Sequence, residues 1–64
     1  ALSKEAVMTK RRILVQVLIK NGFWSDGGTR HEKFTNGKVT VLVKRHREIE
    51  DEIALRILRQ AGLR

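Results

Sequence analysis

The hydrophobic positions of this 64-residue chain fall into two different periods. From Lys4 to Asn21, Ile13, Leu14, Val17 and Leu18 recur at spacings of three and four, the period of one helical face. Ser3 stands where a hydroxyl would cap the first turn, and Gly22 where a left-handed residue would end the helix. Ala1 to Thr9 is less periodic, and its order is left open. From His31 onward the period drops to two. Asn36-Gly37 sits between two alternating runs, which predicts a β-hairpin with a two-residue type I′ turn. Counting back from that turn pairs Thr35 with Lys38, Phe34 with Val39, Lys33 with Thr40, Glu32 with Val41 and His31 with Leu42. One face then carries Phe34, Val39, Val41 and Val43. The other carries His31, Lys33, Thr35, Lys38, Thr40 and Leu42.

Phe23-Trp24-Ser25-Asp26, between Gly22 and the Gly27-Gly28 pair, reads as a short strand with one ring packed on the core. The acidic run from Glu48 to Glu52 suits the positive end of a helix dipole. A second helix therefore begins there and continues to about Ala61, with Ile53, Ala54, Ile57, Leu58 and Ala61 as its apolar stripe, Ile49 as a staple before it and Gly62 as its stop. The order is α-β-β-β-α. It predicts one α+β domain over residues 1–64, a three-stranded antiparallel sheet with two helices on one face. The opposite face of the sheet stays open. Val15, Ile19, Leu42 and Leu55 fall off the main stripes and are candidates for contact with a partner.

Charge sharpens the picture. Fourteen Lys and Arg face seven Asp and Glu, and the excess is uneven: residues 1–47 carry a net +8 and residues 48–64 a net −1. A surface this basic in so small a domain concentrates polyanions, which points to nucleic acid. The chain has no Cys, which rules out disulfides and thiolate metal sites and fits a reducing compartment. With two histidines a zinc site is not expected, no nucleotide-binding phosphate loop is present, and no cofactor is implied. No apolar run reaches the ~20 residues of a membrane span and no secretory signal is evident, so a cytoplasmic location is expected.

Asn21-Gly22-Phe23, Gly28-Thr29-Arg30-His31 before Glu32-Lys33-Phe34, Gly37-Lys38-Val39-Thr40-Val41, Arg45-His46 and Ile57-Leu58-Arg59-Gln60-Ala61-Gly62-Leu63 follow one another in an order that resembles the HicA toxin family. The resemblance covers residues 13–63. It implies a double-stranded-RNA-binding-domain-like fold, ribonuclease activity on mRNA, neutralisation by a HicB-like antitoxin, and an essential strand histidine, which by position is His31. Arg30 replaces the first histidine of the family motif, and Lys44 replaces the proline before its Arg-His pair. Histidine suits the chemistry, because its unperturbed pKa of about 6.5 lets it take the proton of an RNA 2′-hydroxyl near neutral pH. Arg30, Lys33 and Lys38 are the cations expected to stabilise the phosphorane. Lys44, Arg45, His46 and Arg47 form a basic run at the expected start of the second helix, a phosphate-contacting pattern. A non-catalytic RNA-binding module of the same fold is the alternative, and a DNA-binding regulator fits less well because no helix-turn-helix is evident.

Overall fold

A computed structural model of the chain describes residues 7–64. Its elements run β1 (Met8–Lys10), α1 (Arg11–Lys20), β2 (Trp24–Ser25), β3 (His31–Thr35), β4 (Thr40–Lys44), β5 (Glu48–Glu50) and α2 (Asp51–Gln60). The three central strands form an antiparallel sheet in the order β2-β3-β4, and the two outer strands pair with each other, so the protein is a small α+β fold with two helices.

Leu14 and Leu18 of α1 and Ala54 and Ile57 of α2 join Phe34, Val41 and Val43 in one buried cluster, completed by Phe23, Ile49 and Ala61. Both helices therefore cover the same sheet face, as the alternation predicts. Phe23 is buried and Trp24 is exposed, so one aromatic ring packs and the other does not. The stripe of α1 is narrower than its periodicity suggests: Val15 and Val17 are half-buried and Ile13 is exposed.

Three expectations are corrected. First, the hairpin does not close through a type I′ turn at Asn36-Gly37: the Asn36 N–H donates to the Val39 carbonyl at 3.2 Å, which leaves Gly37 and Lys38 as the central residues. A type I′ turn needs φ > 0 at both central residues, yet among the described residues only glycines have positive φ. The Asn36 carboxamide also accepts from the backbone N–H groups of Lys38 and Val39, both at 2.8 Å, and holds the four residues between β3 and β4. Thr35 then opposes Thr40, Phe34 opposes Val41, Lys33 opposes Leu42 and His31 opposes Lys44. The register moves by two residues, so every strand side chain keeps the face that alternation gave it.

Second, the first helix starts at Arg11, not near Lys4. Met8–Lys10 is extended, and it pairs antiparallel with Glu48–Glu50. The expected cap at Ser3 lies outside the described residues. Third, the acidic run is divided: Glu48–Glu50 is strand, and α2 begins at Asp51.

The ribbon of β1 and β5 explains how both helices start without a side-chain cap. Each strand runs directly into a helix. The first N–H of α1, from Arg11, donates to the carbonyl of Arg47 at 2.9 Å, and the first N–H of α2, from Asp51, donates to the carbonyl of Val7 at 2.9 Å. The residue just before each strand thus satisfies a donor that the other strand's helix leaves open. At the far ends, Phe23 N–H bonds to the Leu18 carbonyl and Gly22 N–H to Ile19, while Leu63 N–H bonds to Leu58 and Gly62 N–H to Arg59. These are paired Schellman motifs, with Gly22 at φ 90° and Gly62 at φ 79°.

Leu18 lies at the centre of the core with no exposed surface. Leu18→Ala is expected to cost 2–5 kcal/mol, as about the range for a fully buried leucine, and to show as a lowered denaturant midpoint in chemical unfolding.

Candidate functional site

The open face of the sheet carries His31, Lys33, Leu42 and Lys44, all exposed, with Trp24 beside Thr35 at its other end. His31 and Lys44 are directly opposed across β3 and β4. Directly opposed residues share a face, with Cβ atoms about 4.5–5.5 Å apart. Lys33 follows on the same face two residues along. Trp24 and Leu42, each 52% exposed, give this cationic surface two apolar islands.

The loop before His31 is fixed by glycine geometry. Asp26 N–H donates to the Lys33 carbonyl at 2.7 Å, and Lys33 N–H donates to the Gly27 carbonyl at 2.8 Å, so two residues oppose one as in a β-bulge. Gly28 follows at φ 121°, and a Cβ there would lie 2.1 Å from the carbonyl oxygen of His31. Only glycine lets the loop fold back this closely on the strand that carries His31.

Glu32 points the other way, toward the helices. Alternation places it on the same face as Phe34, and there it meets three partners. Ser25 Oγ donates to its Oε2. Arg11 Nη2 donates to its Oε1 at 2.6 Å, and Arg45 Nη1 lies 3.5 Å from the same oxygen. The two arginines have further acceptors: Arg11 Nε donates to the Lys44 carbonyl at 2.7 Å, and Arg45 donates through Nε and Nη2 to the Gly28 carbonyl at 3.0 and 2.8 Å. The Ser25 hydroxyl first, then the Arg11 guanidinium, hold the Glu32 carboxyl below its ordinary pKa, with the charges of Arg45 and Arg11 adding to them against the opposing effect of partial burial.

The expected site residues therefore separate. His31, Lys33 and Lys44 come together on the open face. Arg30 is exposed in the turn just before it. Lys38 sits in the hairpin loop, beyond Thr35 and four strand residues from His31, a separation of about 13 Å along β3. Arg45 clamps the glycine loop. His46 and Arg47 are exposed in the connection from β4 to β5. The basic run does not lead into α2; β5 intervenes. It lies instead against the start of α1, where the Arg47 carbonyl takes the Arg11 N–H. Lys10, Arg11 and Arg12 line an open cleft of about 620 Å³ there with Arg45 and Arg47. Of the apolar residues set aside as partner contacts, Ile19 and Leu42 are exposed, whereas Val15 packs against the core and Leu55 is half-buried in a groove between the helices.

Among the described residues no group of three His, Asp or Glu side chains comes together that could hold a metal ion, and no helix is long and apolar enough to cross a membrane. Comparison with protein-family models, with curated proteins and with solved structures finds no match to this chain.

Two variants test the construction of the site. Because the Glu32 carboxyl is held below its unfolded value of about 4.3, its contribution to stability is complete above that pH and is lost as pH falls through the folded value. Glu32→Gln is expected to cost about 1 kcal/mol at neutral pH. In denaturant titrations its deficit against the parent shrinks as pH drops below ~4.3. Gly28→Ala places a methyl group against the His31 carbonyl in a backbone conformation unfavourable to alanine. It is expected to destabilise the fold by about 1–3 kcal/mol, read as a lowered Tm.

Proposed function

We propose that this protein is a HicA-like ribonuclease toxin that binds single-stranded mRNA on the open sheet face and cleaves it with His31. The observation that carries this reading is the opposition of His31 and Lys44 on an exposed cationic strand pair, with Lys33 beside them. The three-stranded sheet β2-β3-β4 between α1 and α2, with both helices on one of its faces and β1 and β5 as an added ribbon, supports a double-stranded-RNA-binding-domain-like fold. The run from Gly28 to Phe34 and the ending from Ile57 to Leu63 support the family.

In this reading the imidazole of His31 takes the proton from the ribose 2′-hydroxyl. The 2′-oxygen bonds to the adjacent phosphorus, the bond from phosphorus to the 5′-oxygen breaks, and that oxygen takes a proton from water. The products are a 2′,3′-cyclic phosphate and a free 5′-hydroxyl. Lys44 and Lys33 offset the charge that accumulates on the phosphorane oxygens. Arg30, at the entrance to β3, and Lys38, at the far end of the hairpin, contact flanking phosphates. Trp24 offers a face for a base to stack on. The toxin acts in the cytoplasm on mRNA and is neutralised by a HicB-like antitoxin. Leu42, exposed beside His31 and Lys44, is the apolar anchor for a partner that covers the site.

The test is cleavage of a long single-stranded RNA in EDTA by the parent protein and by His31→Ala, with binding followed by fluorescence anisotropy. Loss of a general base costs about 10²–10⁴-fold in rate. The expected result is that loss with unchanged binding, and with 2′,3′-cyclic phosphate ends on the parent's products. Binding by both proteins without cleavage by either would overturn the enzyme and leave an RNA-binding module. Equal cleavage by both would remove His31 from the mechanism.

A further inference from the structure

The cleft at the start of α1 has a composition unlike that of a small-molecule pocket, which is mostly apolar. Its lining residues are Lys10, Arg11, Arg12, Arg45 and Arg47, all cationic. Two of the five are committed: Arg11 and Arg45 share Glu32 and hold backbone carbonyls. Lys10, Arg12 and Arg47 form no ion pair among the described residues. Glu48 stands across from Lys10 in the ribbon, but no salt bridge joins them. The first turn of α1 adds positive potential rather than relieving it, because it contains no acidic residue, whereas α2 opens with Asp51 and Glu52. Three outward cations converge on an open cavity that two anchored arginines keep rigid.

We propose that this cleft is a second phosphate-binding site, which holds the backbone of a single-stranded RNA next to the phosphate placed at His31. The proposal rests on the RNA reading above but not on cleavage. The two sites meet at one strand end. Arg11, in the cleft wall, donates to the backbone carbonyl of Lys44, and the side chain of Lys44 faces His31 on the open side of the sheet. A strand that passes over the end of β4 reaches both. The cleft contacts phosphate oxygens with flexible cationic side chains, so it is indifferent to base and to sugar.

The experiment measures binding of a labelled strand of about a dozen nucleotides across a salt series, as RNA and as the 2′-deoxy strand of the same sequence. The proteins are the parent, Lys10→Gln/Arg12→Gln, and Lys20→Gln/Arg59→Gln, which removes the same charge from exposed positions outside the cleft. Lys10 and Arg12 are exposed and make no side-chain hydrogen bond among the described residues, and circular dichroism checks that each variant folds. Each phosphate contact on a single strand contributes about 0.7 to the slope of log K against log salt. The cleft variant is expected to lose about 1.4 from that slope and tenfold or more in affinity at ~0.1 M salt, equally for both strands, while the control variant changes little. Equal losses in cleft and control variants would reduce the effect to net charge and overturn the site. Unchanged binding by the cleft variant would overturn it as well. A loss for RNA alone would assign the contact to the 2′-hydroxyl instead of phosphate. Because the deoxy strand has no 2′-hydroxyl to attack, its binding reads the cleft whether or not the parent cuts RNA.

Discussion

One carboxylate sits where this basic chain most needs it. Arg11 opens α1, Arg45 follows β4, and without an anion between them their charges would repel at the place where the start of α1, a glycine loop and a sheet end converge. Glu32 accepts from Arg11, lies against Arg45 and is held in turn by Ser25. Its side chain is only 16% exposed, so water screens these contacts less than it would a surface pair. The arrangement ties β2, β3, the Gly28 carbonyl and the start of α1 into one unit. It also sorts the cations. Arginines that meet Glu32 are structural, and those that do not are available to a ligand.

That sorting was only partly legible in the sequence. The faces of the hairpin were legible, because the side-chain period is two and a register error of two residues leaves the faces unchanged. His31 and Lys33 therefore lie on the open face as expected. Their cross-strand partners were not legible, since Asn36-Gly37 fits a type I′ turn and a side-chain-capped loop equally well from sequence. The position of Lys44 opposite His31 follows from that loop, whereas Lys38 lies at the far end of the hairpin from His31 in either register. Glu32 carried a signal that the charge pattern concealed: alternation puts it on the row of Phe34, where an acid requires a partner.

The β1–β5 ribbon was not legible. Met8-Thr9-Lys10 and Glu48-Ile49-Glu50 are three residues each, too short for a period to declare itself, and carboxylates before an apolar stripe suit a helix start. The ribbon brings the carbonyls of Val7 and Arg47, each just before a strand, to the first N–H of the opposite helix, which no local pattern announces. Once they form, the basic run from Lys44 to Arg47 moves away from α2 and lies beside α1. Its expected place at the start of the second helix is therefore not observed, and it lies at the start of the first.

The central claim is that anchored arginines build the site while His31, Lys33 and Lys44 meet the RNA. Nuclear magnetic resonance separates the two groups directly, with a 2′-deoxy-substituted strand titrated into isotope-labelled protein. The account predicts progressive shifts at the His31 ring and at the side chains of Lys33 and Lys44, with the Arg11 and Arg45 Nε signals remaining hydrogen-bonded and nearly unmoved. Shifts centred on α2, with the His31 ring unchanged at saturation, would contradict it.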